Sequence, residues 1–132
     1  MNAFFDDRQK LHNSKHFVVH GAIAGNPEKP QRTDVLHKGA LDAGCYFQKA
    51  KDFGLGYISA IHSPRYLTFL KNIYLRWQYM KDADSEVIPN IHPLSRTDSY
   101  PKPATGQSGF HQADTACPIS EHTRDAAYWS AQ

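Results

Sequence analysis

Three histidines, His12, His16 and His20, stand four residues apart, the spacing that on a helix lines up imidazoles as metal ligands. The residues between His16 and His20, Phe17-Val18-Val19, are aromatic and β-branched, and Gly21 follows. The segment therefore reads as loop or strand edge, with its histidines at the surface, rather than as a helical metal site. His111-Gln-Ala-Asp114 puts two more ligand types one helical turn apart. Two ligands do not make a closed zinc site, and a surface or packing role is the simpler reading. Cys45 and Cys117 stand alone, with no Cys-x-x-Cys pair, and are expected to be buried thiols without a disulfide. Nothing near Cys117 in sequence supplies the base a thiol nucleophile needs. No two histidines are adjacent and no Asp-x-His pair occurs. Metal-assisted hydrolysis needs deprotonated ligands, an open position for water and a proton shuttle, and these residue types do not occur here at such spacings.

The totals set the frame for these residues. A chain of 132 residues, 40% hydrophobic and 12% aromatic, holds one domain with one core. Fifteen basic against thirteen acidic residues give net +2, too balanced to predict a nucleic-acid partner or an anionic membrane. No apolar run reaches the roughly 18 residues a membrane span needs, and Met1-Asn-Ala-Phe-Phe-Asp-Asp lacks the pattern of a signal peptide, so the cytoplasm is the expected compartment.

The strongest element signal is a helix from Pro64 to Met80. Ser63 stands ready to cap it, and Pro64 takes the first position, where a fixed φ and a missing N–H cost nothing. Tyr66, Leu70, Ile73, Trp77 and Met80 recur at steps of four and three, so this stripe is expected in the core, with Arg65, Thr68, Asn72 and Arg76 on the solvated side. Asn2 to Phe5 reads as a short buried strand, and Cys45 to Gln48 as the only other convincing one. Between them Thr33 is expected to cap a helix from Asp34 to Ala43 that Gly44 stops. Strand, loop, helix and strand make a βαβ unit with a parallel pair. Leu55, Ile58 and Ile61 mark a short helical turn before the long helix. Lys81 to Glu86 reads as a solvated charged loop. Val87 to Thr105, with four prolines, has the length and aperiodicity of a functional or interface loop. Two more helices are expected, one over 106–115 and one capped by Ser120 and running to Trp129.

Taken in order, these segments resemble the N-terminal portion of the acetylpolyamine amidohydrolases, the bacterial branch of the histone deacetylase superfamily. The matching pieces are Phe5-Asp-Asp with Leu11-His12; Asn26-Pro-Glu-Lys-Pro-Gln-Arg32; Ile61-His-Ser-Pro-Arg-Tyr-Leu67; Val87-Ile-Pro-Asn-Ile-His-Pro93; and Gly106-Gln-Ser-Gly-Phe110 with Ala113-Asp-Thr-Ala-Cys-Pro-Ile119. Asn26 departs from the histidine that commonly precedes the family's proline-glutamate motif. The resemblance implies α/β enzymes with a larger parallel sheet that hydrolyse an amide with zinc-bound water. Their ligands are an Asp-x-His pair and a further Asp, their acid and base a His-His pair, and a Tyr polarises the carbonyl. None of these elements has a counterpart in this sequence, so the resemblance implies a truncated relative that is not a deacetylase by itself. Zinc is expected only in the full-length family, and no cofactor here.

The expected fold is thus a small, helix-rich α/β domain whose short two-stranded parallel sheet corresponds to the edge of the deacetylase sheet. Residues 1–54 would form the βαβ unit, 55–80 the long helix region, 81–105 the proline-rich loop and 106–132 the C-terminal helices. In the family the loop matching Ile88 to Phe110 packs across a dimer and narrows the substrate gorge. Tyr100, Pro103, Gln107 and Phe110 are therefore the candidate interface residues. Glu28 and Arg32 are expected to pair and fix their loop, and His62 to play a structural part near a helix start. A sheet margin with open edges and uncovered helix faces predicts a homodimer or higher oligomer, or another protein partner. Binding of a polyamine by Glu28, Asp34 and Asp98 with Tyr100 is a further expectation to test.

Overall fold

The computed structural model describes residues 1–97 and 99–132. Strand β1 (Asn2–Phe5) leads through a 3-10 turn (Asp7–Leu11) to β2 (His16–Val19) and β3 (Ala22–Gly25). Helix α1 (Gln31–Asp42) follows, then β4 (Tyr46–Lys49), α2 (Gly56–Ile61), α3 (Pro64–Gln78), α4 (Ala104–His111) and α5 (Thr123–Ser130). β1 and β4 pair in parallel, Asn2 opposite Tyr46 and Phe5 opposite Lys49, with α1 as the crossover. The βαβ unit is therefore present, with a hairpin inserted ahead of its helix.

That hairpin corrects the sequence reading, which recognised only two strands. His16 pairs with Gly25 and Val19 with Ala22 in an antiparallel ladder. His20 and Gly21 make the two-residue connection, both at positive φ, 52° and 77°, the requirement of a type I′ turn. Helix α1 also starts earlier than expected. Pro30 occupies its N-cap without a side-chain hydrogen bond, and Thr33 lies inside the first turn, its amide donating to the Pro30 carbonyl at 3.0 Å. Gly44, at φ 80°, ends the helix as expected, with its amide on the Leu41 carbonyl.

Helix α3 organises the core. The Ser63 hydroxyl accepts the Tyr66 amide at 3.2 Å, and Pro64 takes the first position. Phe69, Ile73 and Trp77 are buried, with Tyr66, Leu70, Tyr74 and Met80 packed partly beneath them. Burying these three contributes roughly 1.5–3 kcal/mol each before conformational entropy is charged. Val87, Ala104 and Ile119 complete the cluster from outside the helix. Val87 and Ile119 exchange both backbone hydrogen bonds, at 2.9 and 3.1 Å, so the proline-rich segment enters the core at its first residues. Pro89 is likewise fully buried. Gly109 of α4 sits so close to this segment that a Cβ would fall 1.5 Å from the Ile91 carbonyl oxygen, a contact only glycine allows.

Three burial expectations fail for identifiable reasons. Glu86 is buried rather than solvated, because its carboxylate accepts the amides of Lys15 at 2.7 Å and His16 at 2.9 Å and so fastens β2 to the core. Strand β1 alternates between exposed and half-buried residues, because β4 is its one strand partner among the described residues. Cys45 is half-buried and Cys117 exposed, and both are free thiols. The last helix begins at Thr123, with His122 at its N-cap. Ser120 instead receives a 3.2 Å hydrogen bond on its carbonyl from the Thr123 amide.

Candidate functional site

Several polar side chains converge in the Tyr100–His111 segment. The Tyr100 hydroxyl and His111 Nε2 are 3.0 Å apart. The Tyr100 ring meets the Phe110 ring edge-on at 5.1 Å, and the His111 ring lies 4.4 Å from that of Phe69. Helix α4 positions Gln107, Phe110 and His111, whereas Tyr100 comes from the loop before it. Gln107 closes that loop by donating Nε2 to the Pro101 carbonyl at 2.9 Å. Arg76 on α3 reaches across to donate to Gln107 Oε1 and, at 2.6 Å, to the Lys102 carbonyl. Tyr100, Gln107 and Phe110 are thus brought together as half-buried parts of one clamp, and Pro103 sits beside them as the exposed N-cap of α4.

The same clamp shows what reading by type and spacing missed. Arg65 and Arg76 were assigned to a merely solvated face of α3, yet both hold the loop. The Arg65 guanidinium lies over the Tyr100 ring, 4.7 Å from its centroid. Arg96 donates Nε to the Phe110 carbonyl at 2.9 Å. Burial pushes the His111 pKa below the ordinary histidine value, and the charges of Arg65 and Arg96 push it the same way. Burial likewise raises the Tyr100 hydroxyl, against the pull of Arg65 and Arg76. An imidazole kept neutral among aromatic rings is a hydrogen-bonding and packing group, as expected for His111. His111 and Asp114 do not form a metal pair with any third ligand. Among the described residues no three His, Cys, Asp or Glu side chains gather as metal ligands.

The other candidates lie in separate places. Glu28 and Arg32 pair at 2.5 Å across one turn, as expected, away from the clamp. His62 follows α2 as its C-cap, and its ring lies 5.1 Å from that of Tyr66. His12 reaches Thr123 of α5, Nδ1 to Oγ1 at 2.8 Å, and burial lowers its pKa against the charge of Glu86. Of the groups considered for a polyamine, Glu28 is held by Arg32 and Asp34 by Lys10. The face of Tyr100 already carries Arg65, and Asp98 lies outside the described residues.

A second tight spot, which composition gave no reason to expect, joins the two ends of the chain. Arg8 donates Nε and Nη2 to Asp6 at 2.8 and 2.6 Å, and its guanidinium lies 3.1 Å from the centroid of the Trp129 ring. Those hydrogen bonds hold the Asp6 carboxyl at about 2. Beside them the Tyr128 hydroxyl donates to Asp52, which lowers the carboxyl and raises the phenol.

The parallel pair with its crossover helix, the long α3 and the loop folded onto α4 together define a fragment of the deacetylase α/β fold. In shape the chain superposes on a crystal structure of an acetylpolyamine aminohydrolase from Burkholderia pseudomallei with a TM-score of 0.91 at 33% identity, over 99% of this chain and 38% of that one. In sequence it is 34% identical over 133 residues to an acetylpolyamine amidohydrolase of B. pseudomallei strain 1710b. To the acetylpolyamine amidohydrolases 2 and 1 of Pseudomonas aeruginosa it is 28% and 30% identical, over 133 and 136 residues. These matches take in 99–100% of this chain but only 38–39% of the relatives' length. No protein-family model matches the chain. The chain is therefore acetylpolyamine amidohydrolase-like along its whole length and corresponds to the N-terminal portion of those proteins. Among the described residues no helix is long and apolar enough to cross a membrane.

Proposed function

We propose that this chain is a cytoplasmic, non-catalytic deacetylase-like module that self-associates and serves as an assembly or interaction part. The observation that carries the reading is the uncovered apolar surface of the βαβ unit. Val35 and Leu36 of α1 are 70% and 62% exposed, and Phe4 of β1 and Tyr46 of β4 lie open as well. Each strand of the parallel pair also has one edge without a strand partner among the described residues. Open edges and exposed apolar side chains favour association, and a second copy is the partner always at hand. Size-exclusion chromatography with light scattering at micromolar concentration is expected to give a dimer or larger species. A clean monomer would defeat the proposal.

A second reading makes the chain one part of a split zinc-dependent acetylpolyamine amidohydrolase-like hydrolase, completed by another polypeptide. What favours it is the TM-score of 0.91 over 99% of the chain, since a piece that keeps its relative's shape also keeps the surface on which the rest of that relative would dock. The test mixes this chain with the remaining part of the Burkholderia relative and measures zinc-dependent release of acetate from an acetylpolyamine. Acetate above that of either part alone supports this reading, and none removes it.

A further inference from the structure

A surface cavity of about 460 Å³ opens where the start of α3 meets the end of α4, lined by Ser63, Pro64, Arg65, Arg96, Phe110 and His111. Among the described residues its wall carries two permanent cations and no carboxylate. Among the described residues neither cation is put there by a counter-charge: Arg65 is positioned by the Tyr100 ring and Arg96 by the Phe110 carbonyl. The arginine ion pairs among the described residues are Arg8–Asp6, Arg32–Glu28 and Arg124–Asp125, and none involves these two. A guanidinium stacked on a ring keeps its N–H edge for an acceptor, and one bonded through Nε keeps two further nitrogens. The Ser63 oxygen accepts from the Tyr66 amide as the cap, so its own proton remains to be donated. The 15-residue α3 adds its positive end to the same place, although Pro64 brings no N–H. The depressed His111 pKa, driven first by burial and then by Arg65 and Arg96, is a sign that both charges act on one spot.

We propose that this cavity binds a phosphate group, held between Arg65 and Arg96 with the Ser63 hydroxyl as a further donor. Two guanidinium forks match the charge of about −1.5 to −2 and the three acceptor oxygens of a phosphate monoester, whereas a carboxylate offers one charge and two oxygens. The proposal is independent of self-association and of any hydrolytic part. It predicts that a bound anion offsets the two arginines and so raises the titration midpoint of His111.

The test follows the His111 ring proton by NMR in the whole chain, at low ionic strength, while inorganic phosphate is added. A saturable upward move of the midpoint is expected, and its absence overturns the proposal. R96Q, an exposed residue tied by a single carbonyl, is expected to weaken phosphate binding by about tenfold or more while the rest of the spectrum stays native. R65K, which keeps the charge and loses the fork, is expected to fall between. Unchanged affinity in R96Q overturns the proposal, as does acetate binding as tightly as phosphate. Glycerol phosphate bound more tightly than the free ion assigns the cavity to monoesters, and the reverse order assigns it to phosphate itself.

Discussion

In the α3–α4 half of the molecule Phe69, Ile73, Trp77, Val87 and Ile119 lie buried against one another, whereas α1 of the βαβ half buries no residue at all. Both halves carry apolar side chains at helical or strand spacing. They differ in whether the covering surface belongs to the same chain. Helix α3 finds its cover in Val87 and Ile119, brought together by their paired backbone hydrogen bonds. Helix α1 covers only its inner side, where His37 packs between Phe5 and Phe47 with ring centroids 4.4 and 4.2 Å away. One half is finished by intramolecular packing, and the other leaves its outer side open.

The largest break in this contrast is expected from Ile73→Ala, which empties the centre of the finished half. Ile73 is 1% exposed, and removing such a side chain costs about 2–5 kcal/mol. Urea unfolding should show that loss in the midpoint, and a change below about 1 kcal/mol would show that Ile73 is not central to the core. Glu86→Ala comes next. It leaves the Lys15 and His16 amides without their carboxylate, at a cost of about 1–3 kcal/mol, and should loosen the hairpin before the core. Hydrogen exchange faster at Lys15 and His16 than at Ile73 is the expected pattern. Uniform exchange across both would mean that Glu86 does not join two separable parts.

How much of this was legible in the sequence follows the same line. Helix α3 and its Ser63 cap were readable because the period, the cap and the proline all lie within one segment, but the buried stripe is Phe69, Ile73 and Trp77, and Tyr66, Leu70 and Met80 of the expected one are only partly covered. The parallel pair was readable because α1 and Gly44 punctuate it. The β2–β3 hairpin is masked by the four-residue spacing of His12, His16 and His20, although His20-Gly21 between Val18-Val19 and Ala22-Ile23 is a turn signal flanked by strand formers. Glu86 was misread because charge in a loop predicts solvent, and only the fold brings the Lys15 and His16 amides to it. Tyr100, Gln107 and Phe110 come from one stretch of sequence, but Arg65 stands 35 positions from Tyr100, Arg76 31 from Gln107 and Arg96 14 from Phe110, separations that no local pattern encodes. The open surface of α1 is likewise invisible to periodicity, which marks an apolar face without saying what covers it.

Mild acid should sharpen the contrast with a smaller effect. Burial holds His12 and His111 below the 6.5 of an ordinary histidine, so the unfolded chain takes up these protons first. Their contribution to stability is complete above pH 6.5 and declines as the pH falls below it toward the folded values. Asp6, held at about 2 by Arg8, keeps its contribution through that range and loses it only as the pH falls from about 3.8 toward 2. The melting temperature is expected to drop between about pH 7 and 5, and His12→Gln should flatten the slope. A flat profile in the native chain would show that His12 and His111 do not report on folding.

The smallest expected change in stability belongs to Leu36→Ser, and that smallness is its value. Leu36 is 62% exposed, so within one copy its substitution should move the unfolding midpoint by no more than about 0.5 kcal/mol. If a second copy covers α1, the same change puts a hydroxyl into an apolar contact and should shift the light-scattering mass toward the monomer, with Val35→Ser acting in the same direction. Stability and association would then separate, and a core position such as Ile73 cannot give that outcome because its loss also destabilises the copy that would associate. If Leu36→Ser leaves the mass unchanged, α1 is not the associating face, and the open edges of β1 and β4 become the surface to alter next.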